Sequence, residues 1–335
     1  MSLTFRTEIQ PRLPDWRITH QTPVLSLGSC FAERAGEKLY RYHMPVSVNP
    51  WGTLFHPLAI EDILTEALSG KLADIQPLIE HYEMYYSLRF PSALYGNTPE
   101  NLQENIQETH RYISEVFPQF RYILITLGTA WVYRHRQTGR LVASCHKVPL
   151  REFDKILLTP DQVVQSVGEI IAQTRAIRSD IRFILTVSPV RHTKDTLELN
   201  AVSKSVLRYA CHQLTEIGRE VAYFPAYEIM MDDLRDYRFY TSDHIHPSEE
   251  AIDYIWEVFS NAFFAPETIA LNEAIDSLVS GLEHRPRILG KAWLKHLDRL
   301  EEQVEKISHA WNIRLDREWE QIQQLKAGLI SPPHA

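Results

Sequence analysis

The chain has 335 residues, of which 44% are hydrophobic, and 35 Lys and Arg against 43 Asp and Glu give a formal net charge of −8. This length predicts two domains, or one large domain with an extension. The apolar content excludes a disordered chain, and the mildly acidic balance argues against a general nucleic-acid binder.

The sequence shows no recognisable signal peptide, membrane span or metal-binding motif. The N-terminal residues hold no apolar core of the signal-peptide type, and no run approaches the roughly 18 apolar residues of a membrane span. Cys30, Cys145 and Cys211 are odd in number and far apart, which favours reduced thiols over disulfides. No residue pair has the spacing of a zinc site. We therefore expect a cytoplasmic protein without a membrane span, a nucleic-acid partner, a metal or an organic cofactor.

Apolar runs and helical patterns alternate through the first two thirds of the chain. Strands are predicted over residues 24–28, 122–127, 183–187 and 221–224, and a hairpin near 131–144. Helices are predicted over residues 30–42, 59–68, 98–117, 160–177, 200–217 and 251–264. Residues 44–57 indicate a structured loop with three prolines, and residues 84–90 an extended segment. This order predicts an α/β fold, a three-layer α/β/α sandwich around a parallel sheet.

The composition changes after Pro247, and from Pro266 onward the pattern is helical. We therefore predict an α/β domain over residues 1–265 and a helical C-terminal extension over 266–335. Leu300, Val304 and Ile307 recur at three- and four-residue steps. They indicate a helix packed on its own domain or, alternatively, one that joins two copies of the chain.

The stretch around Cys30 is where we expect chemistry first. A buried strand ends at Gly28, Ser29 and Cys30 follow, and a helix begins. A thiol at a helix N-terminus can have its pKa lowered, which would activate it as a nucleophile. Two other interpretations stay open: Cys30 as a small core residue and Ser29 as a helix cap.

A second polar pair precedes the last helix of the α/β part. Asp243 and His246 stand three residues apart in a loop, and a carboxylate beside an imidazole can fix its tautomer and raise its basicity. The alternative is a cap with a surface histidine, and His244 fits a solvated neighbour. Since ligands of parallel sheets bind beyond the carboxyl ends of the strands, Cys30, Gly128 and Ser188 mark one edge.

Several stretches together resemble one family. Residues 21–260 resemble the GSCFA-domain family within the SGNH or GDSL-like hydrolases. The matching stretches are Gly28-Ser-Cys-Phe-Ala32, Asn49-Pro-Trp-Gly52, Leu127-Gly-Thr-Ala130, Cys145-His-Lys-Val-Pro149, Thr186-Val-Ser-Pro-Val190 and Leu234-Arg-Asp-Tyr-Arg-Phe-Tyr240. The resemblance implies an esterase or acyl transferase that works through a covalent acyl-enzyme on a small-molecule or saccharide acyl substrate.

Carried over by position, the resemblance makes Cys30 the nucleophile, with Ser29 as its competitor, and Asp243 and His246 the acid–base pair. Gly52 and Gly128 would bind the oxyanion through their backbone N–H groups.

The asparagine of the superfamily's third block is replaced here by Ala130. The missing donor would therefore come from Asn49, Thr129 or His146. The alternative for Cys145 and His146 is that both pack the hairpin. An oxyanion donor is worth roughly 10²–10³ in rate. The absence of the asparagine keeps two rival functions open: a catalytically weak module that binds a carbohydrate or acyl ligand, and a scaffold that assembles through its helical tail.

Overall fold

The structure is a computed structural model, and it describes residues 7–284 and 290–330. The chain divides into two compact units. The first contains the N-terminal residues up to Trp16 together with Gln21–Phe263, and the second contains Arg17–His20 with the chain from Phe264 onward.

The first unit is built on a five-stranded sheet whose neighbours are all parallel, in the order β10-β9-β5-β1-β2. Its strands are β1 (Val24–Gly28), β2 (Val46–Val48), β5 (Tyr122–Leu127), β9 (Arg182–Val187) and β10 (Val221–Phe224). Every residue of β1 and β5 is buried, as expected for central strands covered by helices on both faces. The predicted α/β/α class is confirmed.

Helices cover the sheet and connect its strands. In the first unit they are α1 (Cys30–Arg41), α2 (Pro57–Leu68), α3 (Pro99–Val116), α4 (Pro160–Ile177), α5 (Thr196–Thr215), the short α6 (Ala226–Glu228) and α7 (Glu249–Phe263). Pro residues open α2, α3 and α4, because the first helical position needs no N–H and favours the φ of proline.

Two small antiparallel sheets lie outside the main one. β3 (Leu78–His81) pairs with β4 (Met84–Ser87), and β6 (Trp131–His135) pairs with both β7 (Leu141–Val142) and β8 (Phe153–Leu157). The predicted hairpin is therefore present. The sequence missed β2, β3 and β8, all short strands, and placed β2 in a loop because two prolines flank it.

The second unit is helical in its described part. It contains α8 (Pro266–Glu283), α9 (Lys291–Trp311) and α10 (Asp316–Ile330). The predicted apolar stripe of α9 is buried at Leu297, Leu300, Val304 and Ile307, and Leu300 lies against Gly281 of α8. The start of the predicted tail, residues 287–289, lies outside the described residues. Within residues 7–284 and 290–330 no helix is long and apolar enough to cross a membrane.

Candidate functional site

Cys30 is the first residue of α1 and lies directly beyond the carboxyl end of β1. Gly28 makes this turn with φ of +131°, and a Cβ there would lie 2.1 Å from the carbonyl oxygen of Thr126. Only glycine lets β1 turn this close to β5. Ser29 is the N-cap of α1, since its Oγ accepts from the N–H of Phe31 at 3.4 Å. The helix-cap interpretation of Ser29 is confirmed, which leaves Cys30 as the first side chain of the helix.

The Cys30 thiol is half-buried and not in a disulfide. Burial raises its pKa above the ordinary value, and the nearby Glu33 carboxylate raises it further. The N–H groups of Cys30 and Phe31 and the Lys204 ammonium act in the opposite direction. The N–H groups of the helix N-terminus therefore act in the expected direction, but the expected net lowering of the Cys30 pKa is wrong, because burial and Glu33 outweigh them.

Asn49 holds the turn after β1 in place. Its Oδ1 accepts from the N–H of Gly28 at 2.8 Å, and its Nδ2 donates to Glu33 at 3.3 Å. Glu33 also accepts from the Thr53 hydroxyl. Both ends of the Asn49 amide are thus used within the protein, and we assign this residue to positioning Gly28 and Glu33.

The backbone donors predicted for an oxyanion are already engaged. The N–H of Gly52 donates to the Asn49 carbonyl at 2.7 Å, and those of Gly128 and Thr129 both donate to the Phe55 carbonyl at 2.9 Å. The segment that follows β2 folds back over the strand ends and takes these donors. In this arrangement none of the three is open to a substrate oxygen. The N–H of Cys30, in contrast, reaches no other backbone carbonyl in the described part of the chain.

The remaining substitute donors are also used internally. The Thr129 hydroxyl lies 3.1 Å from that of Ser203 and accepts from Trp131 N–H at 3.0 Å. His146 is buried, with Nδ1 3.2 Å from the Ser92 hydroxyl and Nε2 2.9 Å from the Ser87 and Phe90 carbonyls. The structure therefore gives His146 the packing role that the sequence left open.

Asp243 and His246 form the predicted pair in an exposed loop. The imidazole Nδ1 lies 2.7 Å from the carboxylate Oδ2, while Oδ1 accepts from the N–H groups of Ile245 and His246 and from the Thr241 hydroxyl. These hydrogen bonds, with that of Thr241 the strongest cause, hold the pKa of Asp243 well below its usual range. The carboxylate, ionised at neutral pH, thus binds Nδ1 and leaves Nε2 without a role in this hydrogen bond.

The loop of this pair is attached to the segment that follows β9. Arg191 donates its N–H to the Ile245 carbonyl at 3.2 Å, and its guanidinium stacks on Tyr240 at 3.9 Å. His192, the next residue, has its pKa lowered to about 4, mainly by burial, and the smallest of the causes is its proximity to His246. The Asp243–His246 loop therefore borders the carboxyl edge of the sheet. No hydrogen bond joins His246 to Cys30 within residues 7–284 and 290–330, so their direct pairing stays a prediction.

Helix α5 supplies residues that sequence reasoning missed. Its N-terminal half buries polar side chains, Asn200, Ser203 and Lys204, while Leu197 and Val202 are exposed. Asn200 accepts from His192 N–H at 3.0 Å, and Ser203 accepts from Ala130 N–H at 2.7 Å. The spacing of these residues places them on one face of α5 but does not indicate that this face is buried.

Lys204 lies at the centre of this polar face and is 1% exposed. Its Nζ donates to the carbonyls of Gly128 and Ser188, both at 2.7 Å. Burial lowers its pKa to about 7, and the Cys30 thiolate opposes this shift. Lys204 thus ties the ends of β5 and β9 together while it interacts electrostatically with Cys30.

Comparison with known proteins places this arrangement in one family. Comparison with proteins of curated function found no significant match. The GSCFA family matches residues 23–259, which include every candidate site residue from Gly28 to His246. That match covers well over half of the chain, and the chain therefore belongs to the GSCFA family.

Proposed function

We propose that the protein is a hydrolase or acyl transferase of the SGNH or GDSL-like type, with Cys30 as its nucleophile. One observation carries the proposal. A thiol at the N-terminus of a helix and a hydrogen-bonded carboxylate–imidazole pair both lie at the carboxyl edge of a parallel sheet, where such sheets bind ligands. The order of the sequence blocks supports the same class.

In the proposed reaction, Cys30 attacks the carbonyl carbon of an ester or related acyl group. The thiol proton passes to His246 Nε2, the C–O bond of the substrate breaks, and the leaving oxygen takes that proton. Water or an acceptor alcohol then attacks the thioester carbonyl and gives its proton to His246, the C–S bond breaks, and Cys30 takes the proton back as a thiol. Attack by water gives hydrolysis, and attack by an alcohol gives acyl transfer. Asp243 orients His246 throughout, and the N–H of Cys30, which reaches no backbone carbonyl in the described part of the chain, would bind the developing oxyanion.

The test is a panel of chromogenic esters and thioesters with acyl groups of increasing length. We expect turnover by the native protein and a mass increase of one acyl group on the peptide that contains Cys30. Cys30→Ala should lose both. Cys145→Ala is the matched control, because Cys145 is also half-buried and free, and it should retain both.

A ligand-binding module of the same fold is the second candidate. It is favoured by the raised pKa of the Cys30 thiol and by the engaged N–H groups of Gly52 and Gly128. Absence of turnover and of an acyl adduct across the panel would reject the hydrolase and support this candidate. Saccharide or acylated-ligand binding that survives Cys30→Ala would then identify it.

A further inference from the structure

Arg191 lies beside the Asp243–His246 pair and has no role in the mechanism above. Strand β9 ends at Val187, so the chain carries Arg191 beyond the carboxyl edge of the sheet. Its backbone N–H donates at 3.2 Å to the carbonyl of Ile245, the residue directly before His246. The backbone of Arg191 is therefore attached to the loop that holds the acid–base pair.

Two tyrosine rings hold the guanidinium of Arg191 in place. Its Cζ lies 3.9 Å from the ring centre of Tyr240 and 5.2 Å from that of Tyr237, and the two ring centres are 6.0 Å apart. Tyr240 is 8% exposed and Tyr237 is 62% exposed, so this cluster reaches from the interior to the surface. Stacking engages the faces of a guanidinium and leaves its edge, which carries the N–H donors, open to a partner.

The charge of this guanidinium is not neutralised by a carboxylate in the described part of the chain. The acidic residues of neighbouring segments have other partners: Glu228 pairs with Arg208, and Asp232 pairs with Arg235. Asp243 is engaged by the hydrogen bonds of its own loop. A positive charge is therefore held by aromatic rings next to the candidate catalytic pair.

The hydrogen-bonding capacity of Arg191 is largely unused. A guanidinium has five N–H donors in a planar fork. The charge of Arg191 and a hydrogen bond from it lower the pKa of Tyr240, although burial, the larger effect, raises this pKa above its ordinary value. No other side-chain hydrogen bond from Arg191 occurs among residues 7–284 and 290–330. The remaining donors fit a carboxylate or a phosphate, whose oxygens accept two parallel N–H groups at once.

We propose that Arg191 binds an anionic group of the substrate, a carboxylate or a phosphate, and thereby selects esters that carry such a group. The inference rests on the proposed function for the ester, whereas the anion site itself does not need it. Arg191 would contact the substrate away from the reacting atoms, because the residue beside it in the hydrogen-bonded loop is the neighbour of His246. This assigns Arg191 to substrate specificity.

A structural clasp is the competing explanation for Arg191. A side chain that only fastened the loop would need the stacking on Tyr240, which the structure provides. It would need neither an open guanidinium edge nor a charge without a carboxylate partner. The experiment must therefore measure anion binding separately from turnover.

The first test is calorimetric titration of the native chain, at low ionic strength, with glutarate, inorganic phosphate and the neutral diamide of glutarate. We expect saturable one-site binding of at least one anion and none of the diamide; glutarate or phosphate then identifies the chemistry. Arg191→Gln should weaken this binding by about 10- to 100-fold, the loss expected for hydrogen bonds to a charged group. Arg191→Lys should recover only part of it, because an ammonium lacks the planar fork.

Arg238→Gln is the matched control. Arg238 is exposed in the same segment and lies 4.8 Å from the ring centre of Phe239, so its substitution removes an equal charge and leaves Arg191 with both of its rings. It should retain the native affinity for the anion. Equal weakening in Arg191→Gln and Arg238→Gln would show a general effect of charge and overturn the proposal.

The second test compares two chromogenic esters of equal acyl length, one ending in the anion that binds and one ending in a methyl group. In Arg191→Gln the ratio of kcat/KM for the anionic ester to that for the neutral ester should fall by about 10- to 100-fold. A clasp would lower both values alike and keep the ratio, which overturns the proposal.

The native chain and Arg191→Lys decide the matter if Arg191→Gln does not fold. Absence of saturable binding of both anions by the native chain overturns the anion site, and so does native affinity in Arg191→Lys. Anion binding without turnover of any ester rejects the proposed function and leaves the anion site standing. Ester turnover without anion binding does the reverse.

Discussion

Two sets of polar side chains border the same edge of the sheet, and their charged forms are controlled by different forces. Asp243 and His246 are close in sequence, exposed, and joined at 2.7 Å. Cys30 and Lys204 come from different helices, and Lys204 is almost completely buried. Hydrogen bonds stabilise the charged form of Asp243, whereas burial disfavours the charged forms of both Cys30 and Lys204. We therefore assign proton transfer in the proposed reaction to the exposed Asp243–His246 pair.

The largest effect should come from the exposed pair. His246→Ala should lower acyl turnover by about 10²–10⁴, the usual contribution of general acid–base catalysis. The free energy of unfolding should change little, because the side chain is 49% exposed. Steady-state kinetics on the responsive ester and urea unfolding measure the two quantities.

His244→Ala is the matched control, since His244 is an exposed neighbour in the same loop. It should leave turnover near the native value. If both variants lose activity equally, the loop as a whole matters and the specific role of His246 is rejected.

The difference between these two sets of residues also explains which parts of the site could be predicted from the sequence. The Asp243–His246 pair depends on a three-residue spacing within one loop, so its hydrogen bond was predicted. Ser29 and Cys30 follow from a strand–turn–helix pattern, which is also local. Lys204 could not be placed, because a helical pattern does not say which face is buried when Leu197 and Val202 point outward and Lys204 inward.

The prediction that Gly52 and Gly128 donate to an oxyanion failed for the same reason, because it depends on residues outside the motif. Gly52 and Gly128 were matched to their blocks by position, but the direction of an N–H depends on which carbonyl the neighbouring segment brings near. Phe55 lies on such a segment and takes the donors of Gly128 and Thr129. The pKa of Cys30 likewise depends on burial and on Glu33, which a motif does not contain.

The effect of burial on a pKa can be tested at His110, a histidine outside the site. His110 is 1% exposed and lies between the rings of Trp51 and Phe90, and neither of its nitrogens has a hydrogen-bond partner among the residues that the structure describes. Burial, with a contribution from Arg89, lowers its pKa from 6.5 to about 4. Between these values the unfolded chain binds a proton that the folded chain does not, so the free energy of unfolding falls as pH falls from 6.5 toward 4.

His110→Leu should remove this dependence and stabilise the protein by about 2 kcal/mol more at pH 5 than at pH 8. Urea unfolding at the two pH values measures the difference. His192→Leu should show a similar acid gain, because its pKa is also lowered to about 4. Equal effects of His110→Leu at both pH values would mean that the imidazole is charged in the folded protein.

The smallest predicted effect concerns Asn49, which holds the turn that precedes Cys30. Asn49 has φ of +39°, a region that Asn tolerates better than most residues, and its Oδ1 satisfies the N–H of Gly28. Asn49→Gly accepts this backbone but leaves the Gly28 donor unpaired, which should cost about 1–2 kcal/mol of unfolding free energy. Asn49→Ala loses the same hydrogen bond and adds roughly 1 kcal/mol of backbone strain.

The difference between the two variants therefore measures the strain, and their common part measures the support that Asn49 gives to the turn. Because Asn49 also donates to Glu33, both variants should remove one of the donors that hold this carboxylate, beside the Thr53 hydroxyl, and change the alkylation rate of Cys30 in the same direction. Urea unfolding and iodoacetamide labelling at about pH 7 check the two expectations. If Ala and Gly unfold at the same urea concentration, the left-handed backbone carries no cost. If labelling is native in both, Glu33 does not need Asn49 to act on the thiol.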